Sequence, residues 1–510
     1  MSTFRRAQNQ AHPNKTNTLF VGVIGVLILT VSLQVWLLTA VLNTALGGDR
    51  SIVWPAFYAS LALFAGGVGL LQFLPQPIRH VLVPERAQPF QNAALAWRTL
   101  AISAVSLALG FAVWFMWSAI SVKLSAAGFK ITPQQRFWIT AAPVLLGSLL
   151  RIPYGLIVSR FGSRNAYAVV TLLMVVPCIG AGVALRDPNS SFGTLLFWAA
   201  LTGIAGANFA TSMATVTLWF PKQLQGTALG INGLGNLGVT IAQFTIPAII
   251  GVAAFGALSG DALTLRLVKG GTQQVWLSNA AFVWVPAILV CTAAIWFGTK
   301  NFPQKPKSFA SQLVVAKRKH TWILSVLYFL TFGAFVAMGA SLPLIINEVF
   351  ANAPGGAPNP LFFSPFAVLV ATLTRPLGGW LADRWSAGGV TAASIAVMGI
   401  CGFSLSQFLS PESFTGFFWT IMILCAAAGL GNGSIFKIIP TVMGAEAGPV
   451  IGFVSCLGAL GGFFPPILLG WCIQHFGSPA WAYTAMGVFA LGCFVLNWAY
   501  YWRRTSAFRC

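Results

Sequence analysis

Two arginines lie inside long apolar stretches of the sequence, where a charged side chain is costly. A charge at the centre of a membrane costs about 2.5 to 3.5 kcal/mol on insertion scales, so charges in such positions are functional by default. Arg151 and Arg375 are 224 positions apart, and neither has an acidic residue in its own apolar stretch. The arginine guanidinium is a planar fork of N–H donors that binds planar oxyanions in a bidentate manner. We therefore predict that Arg151 and Arg375 together bind a small anion.

The composition predicts the elements that must hold these arginines. Of the 510 residues, 57% are hydrophobic and only 7% are charged, whereas soluble domains have about 25% charged residues. Uncharged runs extend over residues 16–48 and 447–502, and a membrane-spanning helix needs about 20 apolar residues. The sequence therefore predicts a polytopic membrane protein. Fourteen helices are expected, near residues 18–45, 52–75, 98–122, 136–158, 165–185, 193–219, 226–256, 276–298, 321–348, 361–382, 388–409, 414–440, 446–472 and 480–502.

The distribution of charges predicts the orientation of these helices. An even number of helices places both termini on one side, and 19 of the 29 lysines and arginines fall in segments on that side. Seven fall in the opposite segments, and the remaining three are Arg151, Arg375 and Lys437 within helices. Because cytoplasmic loops retain lysine and arginine, both termini are expected in the cytoplasm. The same distribution accounts for the net charge of +21 without nucleic acid as a partner.

The predicted spans contain no carboxylate, so their cations are expected to lack acidic partners. Lys437 lies near the end of its predicted helix, and we expect its ammonium group to reach the membrane surface.

A repeat divides most of the chain into two halves. At the shift of 224 residues, further matched pairs follow Arg151 and Arg375: Gly155 with Gly379, Arg160 with Arg384, and Asn208 with Asn432. Two six-helix halves related by an axis along the membrane normal form the major facilitator fold. The expected fold class is therefore an all-α polytopic membrane protein with this fold and two extra N-terminal transmembrane helices. The expected domains are an N-terminal tail and accessory two-helix hairpin (1–97), a first bundle (98–299), a cytoplasmic linker (300–320), a second bundle (321–502) and a cytoplasmic tail (503–510).

Glycine and asparagine are concentrated in four helices. Small residues at spacings of three and four allow helix backbones to approach closely. Buried amides need hydrogen-bond partners, so the asparagines are expected either to donate to the bound anion or to link helices. The glycines are Gly206, Gly230, Gly233, Gly235, Gly238, Gly452, Gly458, Gly461 and Gly462, and the asparagines are Asn208, Asn232, Asn236 and Asn432.

Residue types that serve catalysis or metal binding are sparse. The eight cysteines form no C-x-x-C pair, and the four histidines fall in predicted tails or loops. Neither a nucleophile with its base nor a cluster of metal ligands is visible. We therefore expect no enzyme activity, no metal and no cofactor.

The glycine and asparagine strings resemble those of a known family. Residues 206–238, which include Phe220-Pro221-Lys222-Gln223, resemble the signature of the nitrate/nitrite porters of the major facilitator superfamily, and residues 452–462 resemble its second signature. The resemblance implies uptake of nitrate, or its exchange for nitrite, across the bacterial cytoplasmic membrane. It also implies that Arg151 and Arg375 bind the anion. Phe209, Tyr328 and Phe332 would be the aromatic residues above and below it.

Two features depart from that family's pattern. The superfamily's loop motif appears as Gly155, Arg160 and Arg164, with Ser159 in place of the usual acid. Its second copy keeps the acid, with Gly379, Asp383 and Arg384. The other departure is the pair of helices before residue 98, whose role and partner protein the sequence does not define.

Two questions remain open at the level of sequence. The arginine pair alone would also suit a carrier of another small anion, such as a carboxylate, or a sensor that binds an anion without moving it. Matched halves favour a carrier, because alternating access uses two bundles that rock around one site. The sequence permits both nitrate/proton symport and nitrate/nitrite exchange, and the absence of a carboxylate in the spans favours exchange.

Overall fold

Twelve long helical segments form the part of the protein that the structure describes. This computed structural model describes residues 92–503 except 267–270, 302–313, 355 and 444–446, and before residue 92 only residues 59 and 62. The two helices expected near 18–45 and 52–75 lie outside the described residues. The segments are α1 (Ala93–Leu124), α2 (Pro133–Phe161), α3 (Ser163–Ala184), α4 (Phe192–Trp219), α5 (Lys222–Gly233 and Gly238–Ile249), α6 (Asn279–Gly298), α7 (Lys319–Val349), α8 (Pro360–Arg384), α9 (Ala387–Leu405), α10 (Phe414–Met443), α11 (Ala447–Leu460 and Phe464–Phe476) and α12 (Ala480–Asn497).

Eleven helices in the described part are long and apolar enough to cross a membrane. The segment α5 instead consists of two 12-residue helices joined by the 3-10 turn Leu234–Leu237. Every helix expected between residues 98 and 502 therefore corresponds to a helical segment.

Helix starts are fixed by local polar residues. At the start of α2, the Thr132 hydroxyl accepts a hydrogen bond from the Gln135 backbone N–H (3.2 Å), and the Gln135 side chain accepts one from the Thr132 N–H (2.9 Å). This capping box and the proline at position 133 satisfy or remove N–H groups that the first helical turn leaves unpaired. Asn359 likewise caps α8 by accepting from the Leu361 N–H at 3.1 Å.

The packing of the helices repeats after six helices. In the first six, α2 packs on α4 and α1 packs on α5. In the last six, α8 packs on α10 and α7 packs on α11 in the same way. The two sets meet where α2 contacts α7 and α11, and where α5 contacts α8. This arrangement places Arg151 on α2 and Arg375 on α8 at corresponding positions of two similar bundles.

The expectation of an all-α chain is wrong for the connection between α5 and α6. Residues Leu263–Arg266 pair antiparallel with Thr272–Val275, with Leu263 opposite Val275. The helix expected to reach residue 256 also ends earlier, at Ile249. In the connection that follows, Gly256 and Gly260 have φ values of 53° and 72°, a left-handed backbone that glycine adopts readily. Hydropathy alone extends the helix because residues 250–258 remain apolar.

Candidate functional site

Arg151 lies in the interior of the protein with its guanidinium group surrounded by aromatic rings. Its side chain is on α2 and the residue is only 2% exposed. The guanidinium carbon is 4.6 Å from the ring centroid of Phe209, 5.3 Å from that of Trp114 and 5.3 Å from that of Phe332. Such contacts stabilise a cation without accepting its hydrogen bonds.

The hydrogen bond of Arg151 crosses from the first bundle to the second. Its Nη1 donates to the backbone carbonyl of Ser455 on α11 at 3.1 Å. Its Nε and Nη2 are buried and have no hydrogen-bond partner among the described residues. Because buried donors without partners are costly, an anion that accepts hydrogen bonds from Nε and Nη2 would be stabilised here.

Arg375 is half-buried and is held by a hydroxyl group. Its Nη2 donates to the Tyr328 Oη at 3.2 Å. Its guanidinium carbon is 5.2 Å from the Phe436 ring centroid and 5.8 Å from that of Phe332. In the part of the chain that the structure describes, its Nη1 is buried without a partner.

The ring of Phe332 links the two arginines. It lies within cation–π distance of both guanidinium groups, and it stacks on Tyr328 with 5.1 Å between centroids. Neither guanidinium has a carboxylate within 4.0 Å in the described residues. We call this set of Arg151, Arg375 and Phe332 with their contacting rings the arginine site. It offers unpaired N–H donors and aromatic faces, a combination that suits a small planar anion.

The structure thus brings together five of the nine residues expected to bind the anion. They are Arg151 and Arg375, predicted from the sequence, and Phe209, Tyr328 and Phe332, implied by the family resemblance. Sequence reasoning missed three further contacts, from Trp114, Phe436 and the Ser455 carbonyl. An aromatic residue in an apolar span resembles its lipid-facing neighbours in sequence, and a backbone carbonyl leaves no signal at all.

Two of the four asparagines link helices within the first bundle. The Asn208 amide donates to Ser106 on α1 (3.5 Å) and Thr171 on α3 (3.4 Å). The Asn232 amide donates to Ser212 on α4 at 2.7 Å. Asn236 and Asn432 are each 2% exposed, and their side-chain oxygens have no partner among the described residues.

The nine glycines of the two signatures divide into two groups. At six of them a Cβ atom would collide with a neighbouring segment, and Gly206, for example, lies against the Trp114 ring. At the other three a Cβ atom would meet nothing within 4 Å. The packed glycines are Gly206, Gly235, Gly238, Gly458, Gly461 and Gly462, and the open ones are Gly230, Gly233 and Gly452.

The loop motifs lie where α2 and α8 end, and we call this the Asp383 end of the bundle. Asp383 forms an ion pair with Lys437 on α10 at 2.5 Å. Both side chains are about half exposed, at 55% for Asp383 and 49% for Lys437. The expectation that Lys437 is without an acidic partner is therefore wrong. Its partner lies on another helix, 54 positions earlier in the sequence.

The remaining motif residues make separate contacts. The Arg164 guanidinium lies over Trp296 (4.7 Å) and that of Arg384 over Trp380 (4.5 Å). Arg160 is exposed. A Cβ atom at Gly155 would meet nothing within 4 Å, and one at Gly379 would be 3.8 Å from the Gly433 carbonyl oxygen.

The opposite end, which we call the Glu348 end, is closed by polar contacts between the bundles. Arg136 on α2 forms an ion pair with Glu348 on α7 at 2.7 Å, and the two side chains are only 8% and 15% exposed. Gln243 on α5 donates to the Gly339 carbonyl of α7 at 3.1 Å and accepts from Ser364 of α8 at 3.4 Å.

Comparison with protein families gives two matches. Residues 100–465 match the Major Facilitator Superfamily. Residues 4–80 match a family of unknown function, DUF6755.

Several bacterial transporters are similar to this chain. A probable nitrate/nitrite antiporter, NarK2, of Thermus thermophilus is 36% identical over 84% of this chain and 96% of its own length. A nitrate/nitrite transporter, NarU, of Escherichia coli strain K12 is 35% identical over 82% of this chain and 95% of its own. A nitrite extrusion protein of Bacillus subtilis strain 168 is 32% identical over 79% and 94%.

Solved structures show the same fold at low sequence identity. A D-xylose-proton symporter superposes with a TM-score of 0.58 at 14% identity and covers 78% of this chain and 97% of its own. A nucleoside transporter, NupG, superposes with a TM-score of 0.58 at 11% identity and covers 79% and 99%.

Proposed function

Because the chain belongs to the nitrate/nitrite porter family of the major facilitator superfamily, we propose that it carries nitrate and nitrite across the membrane by alternating access. The observation that carries this proposal is the arginine site. Two arginines from corresponding helices contact one ring, and both keep buried N–H groups unpaired among the described residues. A planar monovalent oxyanion supplies acceptors for these donors and offsets part of their charge.

The aromatic rings favour a thin anion. Phe332 contacts both guanidinium groups, while Phe209 lies over Arg151 and Tyr328 holds Arg375. We expect flat ring faces to accommodate a planar ion better than a tetrahedral one. Asn236 and Asn432 could provide amide donors, whereas Asn208 and Asn232 serve to connect helices.

The charge of the site favours exchange over proton symport. Burying two cations without a counter-ion is strongly unfavourable. The protein should therefore change between its two states more easily with an anion bound than with the site empty. Nitrate bound in one direction and nitrite in the other would keep the site occupied. Neither arginine has a nearby carboxylate in the described residues to carry a proton, and protons are accordingly not the proposed coupling ion.

The direction of opening follows from the two ends of the bundle. The Glu348 end is closed by buried polar contacts between the bundles. By the positive-inside distribution, the Asp383 end faces the cytoplasm, together with both termini.

We place the protein in the bacterial cytoplasmic membrane. We propose an accessory hairpin of two further spans in residues 1–97, ahead of the start of α1 at Ala93, which would give 14 spans in total. The moving bundles would be residues 98–299 and 321–502, joined by the linker 300–320.

Flux into proteoliposomes tests both the substrate and the mode of coupling. Vesicles with internal nitrite should take up external labelled nitrate much faster than vesicles without it, and an imposed pH gradient should not replace internal nitrite. Unlabelled nitrate and nitrite should compete, whereas acetate and sulfate should not. Uptake that requires a pH gradient and ignores internal nitrite would contradict exchange. Competition by acetate equal to that by nitrate would favour a carboxylate carrier, and nitrate binding without flux would favour a sensor.

A further inference from the structure

Trp114 on α1 is one of the rings of the arginine site that contact Arg151, but it has no role in the binding scheme given above. The residue is 1% exposed. Its indole N–H donates to the Pro143 carbonyl of α2 at 2.8 Å, which fixes the orientation of the ring. Phe115 and Phe111 pack against it edge to face, with centroids at 4.8 and 5.5 Å. The indole therefore occupies one defined position.

Two glycines make room for this ring. A Cβ atom at Gly147 of α2 would lie 2.8 Å from the indole nitrogen, and one at Gly206 of α4 would overlap the ring carbons. Glycine is therefore needed at these positions because the indole fills the space between α2 and α4. Gly206 belongs to the first family signature, so one glycine of that signature leaves the space that the Trp114 ring occupies.

The second bundle has a parallel arrangement. A Cβ atom at Gly458, in the second signature, would overlap the ring of Tyr328. Tyr328 in turn holds Arg375 through its hydroxyl group. In each bundle, then, a signature glycine leaves space for an aromatic residue, and that residue contacts the arginine of the same bundle.

The two aromatic residues differ in how they hold their arginine. Tyr328 accepts one N–H of Arg375, whereas Trp114 faces Arg151 with its ring, 5.3 Å from the guanidinium carbon. A ring face restrains a guanidinium without using its N–H donors. This kind of contact is consistent with the two N–H groups of Arg151, Nε and Nη2, that have no hydrogen-bond partner among the described residues.

We propose that Trp114 is a positioning residue, which holds the Arg151 guanidinium by its ring face so that Nε and Nη2 remain available to the anion. The inference rests on the proposed function, because the anion tested is nitrate. Trp114 acts through Arg151 and does not itself bind the anion.

The test measures nitrate affinity and thermal stability of the purified full chain for matched tryptophan variants. Trp117 is the control, since it lies one turn further along α1 and is 0% exposed. We expect Trp114→Leu to weaken nitrate binding by about 10-fold or more and Trp114→Phe by only about 3-fold, because phenylalanine keeps a ring face. Trp117→Leu should lower the melting temperature and change the nitrate Kd by less than about 2-fold.

A double-mutant cycle separates positioning from packing. In an Arg151→Lys background, Trp114→Leu should weaken nitrate binding little further, because the planar group that the indole orients is absent. A further loss of about 10-fold in that background would overturn the proposal. Unchanged nitrate affinity in Trp114→Leu, alongside weak binding by Arg151→Lys, would also overturn it. If the unmodified protein fails to bind nitrate, the proposed function itself is wrong, and the inference is overturned with it.

Discussion

The two ends of the helical bundle each have an ion pair, and the pairs differ in burial and in what they join. At the Glu348 end, Arg136 and Glu348 are nearly buried and connect α2 of the first bundle to α7 of the second. At the Asp383 end, Lys437 and Asp383 are about half exposed and connect α8 and α10 of the same bundle. If the bundles rock during transport, the first pair must break, whereas the second can stay intact because both of its residues belong to one bundle. We therefore expect the Glu348 pair to stabilise one state of the protein and the Asp383 pair to persist in both.

The glycines show the same difference between the ends. The open positions Gly230, Gly233 and Gly452 lie in the parts of α5 and α11 that lead to the Asp383 end. The packed positions Gly238, Gly461 and Gly462 lie further toward the Glu348 end. Helix contacts within each bundle are thus tight at these positions toward the Glu348 end, whereas three signature glycines nearer the Asp383 end have no close neighbour.

The largest effect is expected at the buried pair. Glu348→Gln leaves the Arg136 cation buried without its acid, which costs about 3 kcal/mol in comparable buried pairs. We expect a clear fall in the melting temperature of the purified protein. Replacing both residues by apolar ones, Arg136→Met with Glu348→Leu, should restore most of the stability. An unchanged melting temperature in Glu348→Gln would show that the pair does not hold the Glu348 end closed.

An intermediate effect is expected from a matched pair of glycines on α11. A Cβ atom at Gly461 would overlap the Phe329 carbonyl, so Gly461→Ala should destabilise the protein by about 2 kcal/mol. Gly452→Ala meets open space and should leave stability unchanged or raise it by up to about 1 kcal/mol. If the Asp383 end closes during transport, Gly452→Ala should slow nitrate flux without lowering the melting temperature. Normal flux in this variant would argue against closure around Gly452.

The smallest effect is expected at the exposed pair. Asp383→Asn removes an ion pair of a kind that contributes about 0.2 to 1 kcal/mol, and salt should reduce even that. The melting temperature should fall only slightly at low ionic strength and hardly at all in high salt. A fall as large as that of Glu348→Gln would remove the distinction between the two ends.

Much of the fold could be predicted from the sequence, because apolar length and charge distribution define membrane helices. The repeat-matched arginines were recognisable for the same reason, since a charge in an apolar span is conspicuous. The break in α5 at Leu234–Leu237 and the strands after Ile249 were not. The residues of the break are as apolar or as small as those of a continuous helix, so local backbone conformation decides the difference. The two strands are only four residues each, too short to be told from a loop in the sequence.

Side-chain contacts between residues that are distant in the sequence could not be predicted either. Arg136 and Glu348 are 212 positions apart, and nothing in the sequence indicates that they meet. Lys437 and Asp383 lie on separate helices in the same manner. Trp114 is one of 19 tryptophans, and only the helix packing shows that it contacts Arg151.

The central claim is that Arg151 and Arg375 hold the anion together, and nitrate affinity of their lysine variants tests it most directly. Lysine keeps the positive charge but lacks the planar fork. Isothermal titration of the purified Arg151→Lys and Arg375→Lys proteins should show nitrate binding weakened by about 10-fold or more in each, with melting temperatures close to that of the unmodified protein. Near-normal nitrate affinity in both variants would contradict the account.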